Sequence, residues 1–572
     1  MKREQGYVAG VDTGGTFTDA VILDPEGRVA ARAKRPTRHD DLEAGIVESL
    51  GAALASAKIR GGSLVRVGVS TTLATNSIVE GRGARVGLFQ IGVRKPVRLP
   101  VVSVEFVQGG HSVGGGEDAP LDLQALLGGV GRFKGHVDSY AVAASGSCFN
   151  PAHELVAQKA IAMLDPKPVS CAHQVSELPS HEERLATVAL NAGLLPVMEY
   201  FLERLQSGLA RLGATAPVLV ACGDGGALTP EQARQKPLST FAAGPAASAL
   251  YGAQQAGLRG AGNAVVVDVG GTTTDLITVR DGGLPVRSGG AFIGGWETHV
   301  RTVELRTVGI GGDSHVRVNP LPGRIMQVGP RRVRPLALAG LSTAAGPARD
   351  VSGGLLDRLL QGDADRVVFI APQARERAQS LAATSRLLAL LLERGVATLE
   401  ELARNLGRNM IELERRLGEL SRARLLVEAG FTPSDALHVL GQAHFGDADA
   451  AKRGAAILAA RCGLDAEAFC RRVLDEASRG VEEALVEHLL RCELGHDMAG
   501  LVRRRSELKF LRLEIRPTVP VVALGAAGPA LLAGLGERLG AELIFPEEYE
   551  VGNACGAALV AARAVQDNKE RA

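Results

Sequence analysis

The chain has 572 residues, 64 basic against 63 acidic, for a net charge of +1, which excludes a global pull toward nucleic acid or an acidic membrane surface. Aromatic residues make up 3% and glycine reaches 71, the balance of an enzyme with many tight turns and little need for stacking platforms. Seven scattered cysteines, odd in number and without a Cys-x-x-Cys pair, exclude a disulfide framework or an iron–sulfur or zinc cluster and point to a reducing cytoplasm.

At roughly 150 residues per domain, the length suggests three or four units. The opening MKREQGYVAGVD runs straight into a strand without the apolar core of a signal peptide, and no later segment offers 18 uninterrupted apolar residues. A cytoplasmic protein with no membrane partner is therefore expected.

The first strand leads into VDTGGTFTDAVIL at 11–23, which returns as VDVGGTTTDLITV at 267–279. A Gly-Gly-Thr turn between apolar runs is what a tight hairpin needs, and Gly14, Gly15, Gly270 and Gly271 are free to adopt positive φ and bring N–H groups against an anion. Thr16 and Thr272 add hydroxyls beside the turns. Asp12 and Asp268 close the preceding strands, where a carboxylate can hold hydrated Mg²⁺ or orient a water. One such motif is an ordinary hairpin; two copies suggest one nucleotide gripped between related lobes.

Residues 1–185 continue with a helix near 41–58, the strand VRVGVS, and Ser70, Thr71, Thr72 and Asn76 at the start of a helix. Those hydroxyls serve either a ligand or a helix cap. A second α/β lobe is expected over 186–345, with a helix at 187–211, the strand in APVLVACGDGG, and FAAGPAASALYGA at 241–253. There Gly244 and Pro245 read as a turn opening a helix whose N-terminus meets phosphate or adenine. Gly309 through Ser314, including Gly311 and Gly312, form another glycine loop, with Asp313 placing a carboxylate in it.

Over 346–505 the chain becomes long Leu/Ala/Arg-rich helices with few strands. Within this helical insertion, about 380–428 has the rhythm of a winged helix. Arg415, Arg416, Arg422 and Arg424 could touch DNA phosphates, but interleaved acidic residues favour a structural or protein-contact role, and no nucleic-acid partner is expected. Residues 506–572 complete the second lobe. A buried strand ends at Gly525 through Gly528, and Gly552 through Gly556 open a small-residue helix, a setting that admits an adenine or ribose edge. His181, His299, His315, His438 and His444 show no metal-ligand spacing and read as isolated surface or cap histidines.

These motifs, with HEERLATVALNAGLLP, VLVACGDGGALTPEQARQKPLSTFAAGPAAS, VGIGGDS and FTPSDALHVLG, together resemble the hydantoinase A/oxoprolinase family within the actin-like ATPase and sugar-kinase superfamily. The resemblance implies an α/β fold of two RNase-H-like lobes that bind ATP with a divalent cation. It also implies ATP-driven opening of a cyclic amide such as 5-oxoproline or a hydantoin, by phosphorylation of the amide oxygen and attack by water; other relatives carboxylate ketones. By resemblance Asp12 and Asp268 manage Mg²⁺ and phosphate. Gly14, Gly15, Thr16, Gly270, Gly271, Thr272 and Thr273 cradle the phosphates, and Gly525, Gly528, Gly244 and Pro245 flank the nucleoside. Thr71, Thr72 and Asn76 become candidates for substrate or γ-phosphate contact, and Asp19 and Asp275 for bracing the hairpins.

Two departures qualify the resemblance. Gly-Gly-Asp-Ser replaces the commoner Gly-Gly-Gly-Ser, so Asp313 adds negative charge near the phosphates, and Ala243 replaces a serine before Gly244 and Pro245. Hydantoinase-type enzymes often work with a B-type subunit, and a separate partner chain is expected beside the small-molecule substrate. Besides cyclic-amide hydrolysis, the sequence leaves open a ketone carboxylase subunit, a small-molecule kinase, and a non-enzymatic ATP-binding regulator acting through the insert.

Overall fold

A computed structural model describes residues 6–38, 41–96, 98–321, 324–339, 364–495, 498–504 and 513–570. The chain forms two compact units, one of Met1–Gly262, Ile277–Leu305 and Val551–Ala572, the other of Asn263–Leu276 and Arg306–Glu550. The sequence boundaries fall elsewhere. The one read near 185 lies inside the helix His181–Arg211, and residues 186–262 and the C-terminal helix Gly552–Glu570 belong to the first unit. Those near 345 and 505 fall outside the described residues.

The first unit is built on a six-stranded sheet in the order Ala227–Leu228, Val218–Ala221, Leu64–Thr71, Tyr7–Thr13, Phe17–Leu23, Val29–Pro36. Alternation along Tyr7–Thr13 sends its residues to two faces. Ala9 and Val11 join Val67 and Val69 in a core closed by Ile46 and Leu50 of the helix Leu42–Ser56 and by Phe201, Leu202 and Leu205 of the helix His181–Arg211. Gly10 and Asp12 face the other way, under the C-terminal helix. An ideal Cβ on Gly10 would stand 2.0 Å from the Ala554 carbonyl oxygen, and one on Gly68 1.8 Å from that of Ala557. Glycine at both positions therefore lets the helix backbone lie directly on the sheet. Its opposite side meets the helix Ala243–Gly257 through Gly556, whose Cβ would stand 1.9 Å from the Ala247 carbonyl oxygen.

A smaller sheet in this unit has the parallel order Ser103–Val107, Val86–Ile91, Ser139–Ala144, Val169–Cys171. By length and composition His181–Arg211 could cross a membrane, but 78% of its most apolar window is buried inside the protein, as expected of a core helix.

The second unit carries the sheet Leu305–Val308, Thr274–Val279, Ala264–Val269, Val521–Leu524, Leu543–Ile544. The division of the chain falls within its second strand. Val265, Val267, Val521 and Ala523 pack against Ala477, Val481 and Leu485 of the helix Ala466–Leu494. The stretch read as long helices with few strands contains a mixed sheet, Arg334–Pro335, Leu426–Gly430, Arg366–Ile370, Val396–Thr398. Its strands are too short to show a period of two in the sequence. Between them lie the helices Arg386–Arg394, Leu399–Leu406 and Met410–Arg422. Arg366 and Arg331 each pair with both Glu414 and Glu428, fastening this segment to the strand Arg324–Arg332.

Candidate functional site

In the first unit the two strands around the first glycine turn pair with Asp12 opposite Asp19 and Thr13 opposite Thr18, and Gly14 N–H donates to the Phe17 carbonyl. In the second unit Gly270 N–H donates to the Thr273 carbonyl in the same way, so the sequence repeat is a repeat of turn geometry. The reason for glycine differs from the sequence expectation, however. None of Gly14, Gly15, Gly270 and Gly271 has positive φ; what they provide is room. A Cβ on Gly14 would stand 2.9 Å from the Phe17 carbonyl oxygen, on Gly15 3.4 Å from Asn76 Nδ2, and on Gly271 3.0 Å from Asp313 Oδ2.

Register then assembles a polar row across the first sheet. Ser70 is beside Asp12, Asp12 opposite Asp19, and Asp19 opposite Lys34. Lys34 Nζ pairs with Asp19 at 2.7 Å, tying the second strand of the hairpin to its neighbour Val29–Pro36. Asp12, 4% exposed, receives one hydrogen bond, from Asn553 Nδ2 to Oδ2 at 3.2 Å. Its Oδ1 is buried without a partner, as is the Ser70 hydroxyl nearby. Burial, reinforced by the Asp19 charge, pushes the Asp12 carboxyl up to about 7 against the opposing pull of Asn553, Ser70 and Lys34.

The other first-unit candidates gather around this carboxylate. Thr72 N–H donates to the Thr13 carbonyl at 3.2 Å, at the foot of the turn. Asn76 Nδ2 donates to the Thr72 hydroxyl at 3.0 Å and lies over Gly15. Gly244, in the first turn of the helix Ala243–Gly257, stands against both Asn553 and Thr72. Ala242, just before it, takes left-handed φ of 60° and donates its N–H to Thr75 Oγ1. Pro245 follows within the same helix turn. Thr71 is fully buried and its hydroxyl accepts from Leu73 N–H at 3.2 Å, a local turn that leaves it less available than Thr72. Thr16 and Gly15 form the exposed tip of the turn.

The second-unit candidates also converge. Gly312 N–H donates to the Gly270 carbonyl and Asp313 N–H to that of Gly271, while a Cβ on Gly311 would collide with both residues. The Gly-Gly-Asp-Ser loop thus wraps the turn carrying Gly271, Thr272 and Thr273. The Asp313 carboxylate pairs with Arg332 at 3.1 Å, so the extra negative charge foreseen beside the phosphates has its own counter-ion. Burial still raises its pKa, with Arg332 opposing. Asp275 accepts from the Thr307 hydroxyl, and desolvation raises its pKa. Gly525 has φ of 85° and presses on Val269 and on Asp268 itself. Gly528 N–H closes that turn onto the Gly525 carbonyl at 2.9 Å.

Sequence reading missed Asn553, Ser248, Lys34 and Arg332. Asn553 carried a faint signal, a lone amide in the run VGNACGAA. The histidines also differ from expectation. His315 is 1% exposed, and burial drives its pKa down to about 3; His438 is buried too, so neither is a surface histidine. Glu154, Cys171 and His173 place donor atoms within 4.8 Å of one another. The Glu154 carboxylate there accepts from Ala144 N–H, His173 N–H and the His173 ring. None of the seven cysteines is joined in a disulfide.

Residues 8–164 match the hydantoinase/oxoprolinase N-terminal region and residues 184–339 match hydantoinase/oxoprolinase itself. The chain belongs to the hydantoinase/oxoprolinase family. The alpha subunit of caprolactamase from Pseudomonas jessenii is 29% identical over 362 residues, covering 57% of this chain and 51% of its own length. The gamma subunit of acetophenone carboxylase from Aromatoleum aromaticum is 27% identical over 377 residues, covering 56% and 49%. This family member thus spans about half the length of the curated relatives it matches. Among solved structures, nucleotide-free acetone carboxylase aligns with a TM-score of 0.65 at 16% identity, over 97% of this chain and 70% of that one. The ATP-dependent caprolactamase of P. jessenii aligns at 0.61 and 20% identity, with the same coverage. The mixed α/β fold is therefore shared with these ATP-dependent enzymes.

Proposed function

We propose that this chain is the nucleotide-using subunit of an ATP-dependent hydrolase that opens a cyclic amide, a lactam or hydantoin, with a separate subunit as partner. The observation that carries the reading is the Asp12 carboxylate, buried under a glycine turn with Oδ1 lacking a hydrogen-bond partner among the described residues. A buried acceptor without a donor is costly in a folded protein, and hydrated Mg²⁺ at a phosphate site would satisfy it. Asp12 in one unit and Asp268 in the other are each proposed to hold Mg²⁺ through water; the ion would supply charge neutralisation on the phosphates. The backbone N–H groups of Gly14, Gly15 and Thr16, and of Gly270, Gly271, Thr272 and Thr273, are proposed to cradle the phosphates, with Gly311 and Gly312 shaping the second turn. Gly244, Pro245, Gly525 and Gly528 are proposed to flank the nucleoside. Thr72 and Asn76, over the first turn, are proposed to meet the γ-phosphate or substrate.

The chemistry accounts for the use of ATP. An unstrained amide is a poor electrophile with a poor leaving group. When its oxygen attacks the γ-phosphorus, ADP departs and the carbon becomes electrophilic. Water then adds to that carbon, collapse of the adduct breaks the C–N bond with the ring nitrogen leaving as the protonated amine, and a second water cleaves the resulting acyl phosphate to the free carboxylate and phosphate. The relatives acting on acetophenone and acetone support a second reading, phosphorylation and carboxylation of a ketone. The winged-helix-like order of residues 386–430 is read as structural, because Arg415 and Arg416 are already paired with Glu419.

The test is phosphate release from ATP with the partner subunit present, across a panel of lactams, hydantoins and ketones with and without bicarbonate. Stimulation of about tenfold or more by a lactam or hydantoin, with ring-opened product, is expected. A stable phosphorylated product would mark a kinase, bicarbonate incorporation a carboxylase, and no stimulation by any member would overturn the enzyme reading. A narrower expectation concerns the glycine turn of the second unit. Nothing lies within 4 Å of a Cβ on Gly528, so Gly528→Ala retains the wild-type Tm, while ATP affinity falls about tenfold if nucleoside passes against it. Unchanged affinity removes Gly528 from the site.

A further inference from the structure

Asn553 joins the two elements that meet at Asp12. Its Nδ2 donates to Asp12 Oδ2 at 3.2 Å and its Oδ1 accepts from the Ser248 hydroxyl. Ser248 is fully buried in the helix Ala243–Gly257, whose first turn holds Gly244. The two contacts agree on the amide's orientation. A carboxylate oxygen accepts, so the end facing Asp12 is the NH₂ group, which leaves the carbonyl to accept from the Ser248 hydroxyl. A Cβ on Gly244 would stand 3.3 Å from the same Nδ2, so the amide is confined from a third side. Gly10, Gly68 and Gly556 hold the helix carrying Asn553 against the sheet and against Ala247.

We propose that Asn553 is a positioning residue that couples the helix Ala243–Gly257 to Asp12, turning the carboxylate so that Oδ1 is presented to the metal–phosphate end of the nucleotide. The proposal rests on the reading of Asp12 above. Among the described residues Asn553 is the donor to Asp12 Oδ2, so without it that oxygen loses its donor and the rotamer is left to packing and to the neighbouring Ser70. Without Ser248 the amide carbonyl loses this donor and the side chain can swing away from the carboxylate, a partial loss of the same function. A residue that only filled space would show neither graded effect.

The experiment is calorimetric titration of the full chain with ATP, once with Mg²⁺ and once with EDTA, for wild type, Asn553→Ala and Ser248→Ala. Wild type is expected to bind ATP more tightly with Mg²⁺. In Asn553→Ala that gain shrinks about tenfold while EDTA affinity stays within about threefold; in Ser248→Ala it shrinks about threefold. Should Asn553→Ala fail to fold, Ser248→Ala decides the matter alone. A gain equal to wild type in the folded variants, or equal losses with and without Mg²⁺, overturns the positioning role while leaving the nucleotide reading intact. No ATP binding by wild type in either buffer overturns the nucleotide reading and this inference with it.

Discussion

Asp12→Asn is expected to abolish the proposed ATP turnover and, without nucleotide or metal, to make the chain more stable at pH 8 but not at pH 4. Turnover falls by at least about 10³-fold, because the charge that would hold the cation at the phosphates is gone from a site water cannot fill in its place. The stability effect follows from the raised pKa. Burial holds the folded carboxyl at about 7, against 3.8 for an aspartate in water. Between those values the folded chain binds more protons than the unfolded chain, so stability declines as pH rises through the window. The penalty is absent below the unfolded pKa and complete above about 7. A shift of about three units corresponds to a ceiling of ~4 kcal/mol. Asparagine carries no such penalty at any pH, so the variant-minus-wild-type difference in Tm grows from pH 4 to pH 8. Thermal unfolding at the two pH values and phosphate release at one check both halves. Turnover within tenfold of wild type would remove Asp12 from the chemistry, and a pH-independent difference in Tm would remove the buried charge.

Much of the first site was legible because its signal is local. The repeat of Asp, two glycines and hydroxyls fixes two hairpins, and the strand ending at Thr71 followed by a helix start placed Thr72 and Asn76 near one of them. What escaped reading depends on partners distant in sequence. Lys34 meets Asp19 through strand register, and Arg332 meets Asp313 across a hairpin, neither of which any periodicity encodes. The glycine turns were read correctly as turns but for the wrong reason, since close approach and positive φ leave the same letter in the sequence. His315 reads as a surface or cap histidine in sequence because a lone histidine carries no trace of the neighbours that bury it. The C-terminal helix was visible as a run of small residues. Its docking on the strands Tyr7–Thr13 and Leu64–Thr71 was not, although Gly10, Gly68 and Gly556 are three parts of one signal.

Those three glycines carry the largest stability effects expected here. Gly68→Ala would bring its Cβ to 1.8 Å from the Ala557 carbonyl oxygen, Gly556→Ala to 1.9 Å from that of Ala247, and Gly10→Ala to 2.0 Å from that of Ala554. In each case the obstacle is backbone, so no rotamer change relieves it, and either the helix leaves the sheet or the strand bends. Each variant is expected to lose more than about 4 kcal/mol, enough to remove the folded chain from the soluble fraction at 37 °C. Gly131→Ala is the control. It lies in the helix Leu123–Phe133 with nothing within 4 Å of a new Cβ, and it should gain up to ~1 kcal/mol from helix propensity alone. Tm and soluble yield of the four variants decide the matter. Gly68→Ala and Gly556→Ala as stable as wild type would mean the helix is not seated on these strands. That would also detach Asn553 from Asp12, since the same close approach carries the amide to the carboxylate.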